Sequence, residues 1–175
     1  MNILLTGHKG FIGNRLFTYL QEKDHTVIAV DKLTGHDIMS CDFPHNIETV
    51  IHLAGLSGVR DSLDRPTEYW KTNVIGSQRI FDFYKNKRVI YASSSTAYEP
   101  WQNPYAMSKY AMEQLEHPNS LGMRFTTIYS NNSELRPNML IPRIIRNDVP
   151  HVTNHKRDFI HVADIVSAIL TLIKN

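Results

Sequence analysis

A glycine-rich turn just after the first apolar run limits the possible folds more than any other feature of this sequence. Residues 6–13 read TGHKGFIG, with glycines at positions 7, 10 and 13. In a strand–turn–helix unit, the first glycine allows a tight turn, the second lets the backbone approach a pyrophosphate, and the third lets the helix pack closely on the strand. The helix N-terminus then offers free N–H groups to the phosphates. We predict a dinucleotide site here, rather than a merely structural turn, with contacts from Gly7, Lys9, Gly10, Phe11, Ile12 and Gly13.

Short apolar runs alternate along the chain with longer amphipathic stretches, which is typical of βαβ units and a parallel sheet. Strands are predicted at residues 3–6, 26–30, 49–53, 88–92 and 123–129. Helices are predicted at residues 11–22, 66–84, 104–116 and 162–173. In the second helix, four apolar residues at helical spacing are expected to face the core: Tyr69, Val74, Ile80 and Phe83. We therefore predict an α/β fold, a Rossmann-type doubly wound parallel sheet, in a single domain over residues 1–175.

The composition is that of an ordinary globular protein and argues against several functional classes. The 19 Lys and Arg residues against 17 Asp and Glu leave a formal charge of +2, less basic than is usual for a nucleic-acid binder. The single cysteine, Cys41, excludes an internal disulfide and suits a reducing compartment. No apolar run approaches the ~20 residues that span a bilayer, so we expect a cytoplasmic protein without a membrane partner. His151 and His155 have no third ligand nearby, so no metal site is predicted.

An acidic residue at the end of the second predicted strand bears on the choice of cofactor. Asp31 follows the apolar run at residues 26–30, where a carboxylate can accept hydrogen bonds from the adenosine ribose hydroxyls and repel a 2′-phosphate. Lys9 argues the other way, because its charge could bind that phosphate, and on balance we favour NAD over NADP. Asp42 is predicted to accept from the adenine amino group, with a helix N-cap as the alternative.

Small residues follow the strand at residues 49–53, where a cofactor would have to pass closely. His52 is interpreted as structural, whereas Leu53, Ala54 and Gly55 are predicted to contact the cofactor. Asn73, on the next helix, is also placed at the cofactor site. It is either a buried polar residue that bonds backbone or a proton relay, and both interpretations stay open.

The chemistry is predicted from three serines at a strand end and a tyrosine–lysine pair on a helix. Tyr105 and Lys109 are four residues apart, so they share one helical face. A neighbouring ammonium lowers the pKa of a phenol from ~10 toward neutrality, which makes Tyr105 a usable general acid/base. A serine hydroxyl from positions 93–95 can hold the substrate oxygen. Together with the glycine turn, this arrangement predicts a catalytic set that also borders the cofactor.

These motifs together resemble the extended short-chain dehydrogenase/reductase family, the NAD-dependent epimerase/dehydratase group. The resemblance covers nearly the whole chain in the family's order, through TGHKGFIG, HLAG, SSSTAY, PYAMSK and RDFIHV. It implies that Ser94, counted back from Tyr98, is the catalytic serine that acts with Tyr105 and Lys109. It also implies a tightly held NAD, oxidation of a sugar hydroxyl to a ketone, and a homodimer formed through the helices that carry Asn73 and Tyr105.

Three segments are similar to UDP-glucuronate 4-epimerases within that family: residues 57–63, residues 124–129 and residues 136–139. The resemblance implies contacts with a nucleotide-sugar substrate from Arg60, Ser94, Ser95, Thr127, Arg136 and Arg157. It leads us to expect an isomerase of nucleotide-sugar metabolism, in polysaccharide biosynthesis, acting on UDP-glucuronate or a UDP-hexose.

The sequence also departs from that family in its last third. Family members continue with more of the C-terminal substrate domain, so residues 130–160 are expected to form a reduced substrate-binding lobe. Two other functions stay open: an NAD(P)H-dependent reductase or dehydratase of the same family, and a non-catalytic NAD-binding module. The presence of Ser94, Tyr105 and Lys109 argues against the module, which would need no acid/base tyrosine.

Overall fold

The computed structural model describes residues 1–115, 117–131, 139–149, 154 and 156–174. The chain divides into two compact units, Met1–Phe125 and Thr126–Asn175, and each is described by itself. The single domain expected from the sequence stays a prediction. Within the described residues, no helix is both long enough and apolar enough to cross a membrane.

The first unit is built on a five-stranded parallel sheet. Its strands are β1 (Asn2–Thr6), β2 (Thr26–Val30), β3 (Thr49–His52), β4 (Arg88–Ser94) and β5 (Ser120–Phe125). The strand order is β2-β1-β3-β4-β5, and every neighbouring pair is parallel. The winding therefore reverses next to β1, and ligands of open α/β sheets bind at such a point, beyond the carboxyl ends of the strands. This topology confirms the predicted Rossmann-type fold.

Five helices of the first unit connect these strands. They are α1 (Phe11–Gln21), α2 (Val59–Asp64), α3 (Pro66–Trp70), α4 (Gly76–Phe83) and α5 (Pro104–Glu113). The π-helical turn Lys71–Ile75 joins α3 to α4, and short 3₁₀ turns precede α5. All four residues of β3 are buried, as expected for a central strand of a parallel sheet that is covered on both faces.

The structure confirms helix in the segment from α3 through α4, but one of the four side chains predicted to face inward faces outward. Tyr69, Val74 and Ile80 are buried as predicted, whereas Phe83 is 40% exposed and Tyr84 only 2%. Phe83 and Tyr84 follow Ile80 by three and four residues, and both spacings fit one helical face. Tyr84 takes the inward place predicted for Phe83, and its hydroxyl donates to the Pro44 carbonyl at 2.7 Å.

In the part of the second unit that the structure describes, there are two helices and a small parallel sheet of two strands. The strands are β6 (Thr127–Tyr129) and β7 (Phe159–His161), and the helices are α6 (Leu140–Ile145) and α7 (Val162–Lys174). The single strand predicted over residues 123–129 is therefore wrong, since β5 pairs with β4 and β6 pairs with β7. The local apolar pattern does not reveal this break, because the break depends on which distant strand each half pairs with.

Candidate cofactor and catalytic site

The turn between β1 and α1 requires glycine at two positions for different reasons. Gly7 has a φ of +75°, which residues with side chains rarely adopt, and a Cβ there would lie 2.6–2.8 Å from the backbone of Leu53 and Ala54. A Cβ on Gly13 would collide with the Gly7 carbonyl. The turn therefore packs β1, α1 and the end of β3 backbone against backbone. Gly10 forms the N-cap of α1, where the first helical N–H groups lack intrahelical partners.

A cavity of about 230 Å³ opens at the carboxyl ends of β1, β2 and β3. Seven of the predicted cofactor residues line it: Gly7, Lys9, Gly10, Asp31, Leu53, Ala54 and Gly55. Six residues that were not predicted also line it: Lys32, Leu33, Asp37, Ile38, Leu56 and Thr72. The other predicted cofactor residues lie outside this lining: Phe11, Ile12, Gly13, Asp42, Asn73, Tyr105 and Lys109. The cavity thus covers the glycine-turn end of the predicted site.

Asp31 joins the glycine turn to the end of β2 through its carboxylate. Its Oδ2 accepts a 2.9 Å hydrogen bond from the backbone N–H of Lys9, and its Oδ1 accepts one of 2.9 Å from the N–H of Leu33. Each carboxylate oxygen can accept more than one hydrogen bond, so Asp31 can hold the turn and still accept from a ligand hydroxyl. Lys9 and Lys32 line the same cavity as Asp31.

The segment after β2 brings Asp37, and not Asp42, to the cavity. Asp37 lies in the cavity lining, whereas Asp42 is exposed outside it. Arg79 of α4 holds this segment, because its guanidinium donates to the backbone carbonyls of Ile38 and Cys41. Both acids follow β2 and each precedes an apolar residue, so the local pattern does not separate them. The contact with Arg79, far along the chain, holds the backbone between the two acids.

Asn73, in the π turn, is buried and uses its whole side-chain amide. Its Oδ1 accepts from the Leu56 N–H at 2.8 Å, and its Nδ2 donates to the Leu56 carbonyl at 3.0 Å and to the Ser108 hydroxyl at 2.9 Å. The Ser108 hydroxyl in turn donates to the Tyr105 carbonyl at 2.8 Å. Asn73 was predicted to be either a buried residue that bonds backbone or a proton relay, and the structure contains the bonds to backbone. The side chain connects the loop after β3 to α5.

His52 is buried in a series of hydrogen bonds whose direction can be worked out. Its Nδ1 lies 2.7 Å from the Thr6 hydroxyl and its Nε2 lies 2.9 Å from the Ser77 hydroxyl, which donates to the Asn73 carbonyl at 2.7 Å. Because the Ser77 hydroxyl uses its proton in the bond to the Asn73 carbonyl, its oxygen accepts a hydrogen bond from His52 Nε2–H. The Thr6 hydroxyl then donates to His52 Nδ1. Burial, reinforced by the charge of Lys109, lowers the pKa of His52 to about 3. The ring is therefore neutral, which suits a structural role.

The helix α5 presents Tyr105 and Lys109 on one face. It begins at Pro104, and the side chain of its N-cap Asn103 accepts from the Ala106 N–H at 2.9 Å, which satisfies one of the free N–H groups of the first turn. The ring of Tyr105 packs edge-on against the buried ring of Tyr69, with centroids 6.1 Å apart. The cap and this ring contact fix the orientation of the helix that carries the pair.

Lys109 is buried with its ammonium group directed to the loop after β3. The side chain is 5% exposed, and its Nζ donates to the Ala92 carbonyl at 2.9 Å. A Cβ on Gly55 would lie 3.3 Å from the same Nζ, so the ammonium stands beside a residue that lines the cavity. Burial lowers the pKa of Lys109 to about 8, although the charge of Glu113 opposes this. Lys109 is therefore poised to change charge at mildly alkaline pH.

The three serines at the end of β4 have three different environments. Ser93 donates its hydroxyl proton to Oε1 of Glu113. Ser94 is buried, and its Oγ accepts from the N–H of Thr96 at 3.2 Å and from the Thr96 hydroxyl at 3.0 Å, while Ser95 begins the 3₁₀ turn that follows. Successive side chains of a strand point to opposite faces. Ser93 is therefore committed to a bond on the face opposite to Ser94.

The predicted substrate contacts are divided between the two units. Arg60 is exposed on α2 in the first unit, while Thr127 lies in β6 and Arg157 shortly before β7 in the second. Arg136 lies outside the residues that the structure describes, as do His151 and His155. In the described part of the chain, no group of three or more His, Cys, Asp and Glu side chains could hold a metal ion.

A Rossmann fold with this glycine turn, and with a tyrosine–lysine pair on the helix after β4, defines a class of dinucleotide-binding proteins with acid/base residues. The model of the NAD dependent epimerase/dehydratase family matches residues 3–175. The chain belongs to this family, which confirms the family resemblance of its motifs.

Individual relatives agree with this assignment. Protein CapI of Staphylococcus aureus is 30% identical over 99% of this chain and 70% of its own length. A UDP-glucose 4-epimerase of Yersinia enterocolitica is 27% identical over 100% of this chain and 74% of its own length. Among solved structures, MoeE5 in complex with UDP-glucose and NAD has a TM-score of 0.81 and 32% identity, over 97% of this chain and 71% of that one. This chain thus spans roughly seven tenths of each relative.

Proposed function

We propose that this protein is an NAD-dependent epimerase of a nucleotide sugar, of the UDP-glucuronate or UDP-hexose 4-epimerase type. The observation that carries the proposal is the buried ammonium of Lys109 on the same face of α5 as Tyr105, beside Gly55 of the cavity lining. An acid/base tyrosine is useful only where a proton is moved. The UDP-glucose 4-epimerase among the relatives, and the UDP-glucose and NAD bound to MoeE5, support the substrate class.

The residues around the cavity fit a bound NAD. Gly7 and Gly13 leave no room for a Cβ, and the N-terminus of α1 offers unpaired N–H groups and the positive end of the helix dipole to a diphosphate. Asp31 would accept from the ribose hydroxyls, and Asp37, rather than Asp42, would serve the adenine end. When bound, NAD supplies a reversible hydride acceptor.

The residues of the chain would move the proton that accompanies this oxidation. Tyr105, as the phenolate, would take the proton of the sugar hydroxyl as the carbon is oxidised, and would return it on reduction. Lys109 would favour the phenolate, because a neighbouring cation stabilises the ionised form of a phenol. Ser94 would hold the sugar oxygen by a hydrogen bond. The transient product is a 4-keto sugar, and its reduction from the opposite face inverts the carbon.

Substrate contacts and assembly complete the proposal. Arg60, Ser95, Thr127, Arg136 and Arg157 are proposed to bind the nucleotide sugar, since arginine suits bidentate contact with a carboxylate or a phosphate. A homodimer is supported by apolar side chains that remain exposed on α3, the π turn and α5: Trp70 (45%), Ile75 (43%) and Met107 (40%). A role in polysaccharide biosynthesis and a cytoplasmic location stay predictions.

The epimerase proposal is tested by incubating the protein with UDP-glucuronate and with UDP-glucose and separating the products. We expect the 4-epimer to form without net reduction of NAD. Tyr105→Phe should retain cofactor binding but lose activity by about 10²–10⁴-fold, whereas Tyr110→Phe, an exposed position on the same helix, should stay fully active. Unchanged sugars in a preparation that demonstrably contains bound NAD would contradict the proposal.

The positive side chains at the cavity favour a second function, an NAD(P)H-dependent reductase or dehydratase of the same family. Lys9 and Lys32 line the cavity together with Asp31, and two cationic groups could bind a 2′-phosphate. Mass analysis of the cofactor released by denaturation separates the epimerase from the reductase. NAD recovered at one per chain favours the epimerase, while an empty protein that steadily oxidises NADPH with a keto-sugar favours the reductase.

A further inference from the structure

The face of α5 that carries Tyr105 and Lys109 continues for one more turn to Glu113, which the proposed chemistry does not use. The three residues are spaced by four, so their side chains follow one another along one helical face. The side chain of Glu113 is only 11% exposed. A carboxylate is rarely so buried without compensating partners.

Two side chains from the sheet hold this carboxylate in place. Arg124 of β5 makes a bidentate contact, with Nε 2.9 Å from Oε1 and Nη2 2.6 Å from Oε2, which is the strong geometry for an arginine–carboxylate pair. The hydroxyl of Ser93 donates to Oε1 from the neighbouring strand β4. The Arg124 guanidinium also lies 4.2 Å from the ring centroid of Tyr98. These contacts keep Glu113 in one orientation.

Glu113 is ionised in this arrangement. Burial acts to raise its pKa, but the hydrogen bonds from Arg124 and Ser93 outweigh burial and hold the pKa of Glu113 below its ordinary value. A fixed negative charge therefore stands one helical turn beyond Lys109. Its attraction favours the ammonium form of that lysine. A cation bound to this carboxylate acts on the lysine in the opposite direction.

We propose that Glu113 is a positioning residue that maintains the charge on Lys109, and that Arg124 is the opposing charge that limits this effect. The effect on catalysis rests on the proposed function, whereas the effect of Glu113 and Arg124 on the pKa of Lys109 does not. Four further titratable side chains surround the cluster: His52 of β3, Tyr91 of β4, Tyr98 of the 3₁₀ turn and Tyr105 of α5. His52 is neutral, since its pKa is about 3, and burial raises the pKa of Tyr91. Neither adds a charge near neutral pH.

Substitutions of the two charged residues should shift the pKa of Lys109 in opposite directions. Glu113→Gln removes the anion, so the pKa of Lys109 should fall by on the order of half a pH unit or more. Arg124→Gln removes the offsetting cation, so that pKa should rise. Ser93→Ala removes a neutral donor and leaves both charges in place, which makes it the matched control with little shift. If the variants acted only through lost packing, the pKa of Lys109 would not shift in opposite directions in Glu113→Gln and Arg124→Gln.

The direct measurement is an NMR titration of protein labelled with ¹³Cε-lysine, with the Lys109 signal assigned through Lys109→Met. It needs neither substrate nor activity. Opposite shifts for Glu113→Gln and Arg124→Gln support the proposal, and shifts of the same sign, or none, overturn it. If Glu113→Gln fails to fold, the comparison of Arg124→Gln with Arg124→Lys tests the proposal instead. Only Arg124→Gln removes the positive charge, so only this variant should raise the pKa of Lys109.

The pH dependence of kcat/KM supplies a second measurement. Its alkaline limb should move to lower pH in Glu113→Gln and to higher pH in Arg124→Gln, because activity requires the ammonium form of Lys109. The electrostatic proposal and the proposed epimerase function can fail separately. NMR shifts of opposite sign in a protein that epimerises no sugar would leave the electrostatic proposal standing and remove the proposed function, and active enzyme without those shifts would do the reverse.

Discussion

The Nδ2 of Asn73 donates a 2.9 Å hydrogen bond to the Oγ of Ser108, which links the π turn directly to the helix of Tyr105 and Lys109. The same amide bonds both backbone polar groups of Leu56, a residue of the cavity lining. One buried side chain therefore links the wall of the cavity to the helix that carries Tyr105 and Lys109.

Replacing Asn73 by leucine should lower the free energy of unfolding by about 2–4 kcal/mol, because the N–H and carbonyl of Leu56 lose their partners in a partly buried place. Ser108→Ala removes only one of the three bonds and should cost about 1 kcal/mol. Urea unfolding of both variants measures the difference. Equal losses would show that the bonds to Leu56 contribute little.

Gly7 and Gly35 form a matched pair for testing the glycine turn. Both have positive φ, +75° and +83°, but a Cβ on Gly7 meets backbone at 2.6 Å whereas a Cβ on Gly35 meets nothing within 4 Å. Alanine should therefore cost about 1 kcal/mol at Gly35 through backbone strain alone. At Gly7 it should cost clearly more and abolish NAD binding. Thermal unfolding and calorimetric titration with NAD measure the two effects, and similar behaviour of both variants would contradict the proposed cofactor approach.

His52 should make the protein less stable in acid. Its pKa is about 3 in the folded protein against 6.5 ordinarily, so below pH 6.5 the unfolded chain takes up a proton at this site and the folded chain does not. The free energy of unfolding should therefore fall as the pH drops from about 6.5 toward 3, by roughly 2–3 kcal/mol at pH 4.5, and should not depend on this group above about pH 7. Urea unfolding across this range measures the slope. His52→Gln should flatten it, and an unchanged slope would assign the acid sensitivity to other groups.

Asp31 should decide the preference between NAD and NADP. Asp31→Asn keeps an acceptor for only one of the N–H groups of Lys9 and Leu33, which bind different oxygens of Asp31. It also removes the negative charge, so affinity for NADP should rise relative to NAD by about tenfold, which corresponds to about 1.4 kcal/mol. Asp42→Asn, exposed and outside the cavity lining, is the matched control and should change neither affinity. Equilibrium binding of both nucleotides tests this. An equal change of preference in Asp42→Asn would contradict the role of Asp31, whereas loss of affinity for both nucleotides would support the predicted contact of Asp42 with the adenine.

Some local features of the site could be predicted residue by residue. The glycine spacing identified the turn because a positive φ and a close approach of backbone leave few other residue types. The spacing of Tyr105 and Lys109 placed them on one face because helical geometry depends on nothing beyond the helix itself. The burial of Tyr84 in place of Phe83 could not be predicted, because the contact of Tyr84 with the Pro44 carbonyl joins distant parts of the chain.

By itself, the sequence determined the alternation of strands and helices, the glycine turn and the spacing of Tyr105 and Lys109, because each follows from contacts within a few residues of chain. Only the tertiary structure decided that Asp37 and not Asp42 reaches the cavity, that Asn73 bonds Leu56 and Ser108, and that Glu113 meets Arg124 and Ser93. These outcomes depend on groups that lie far apart along the chain and are brought together by the sheet order. Their strength also comes from burial, which magnifies the interactions of polar and charged groups, and burial is a property of the packed molecule.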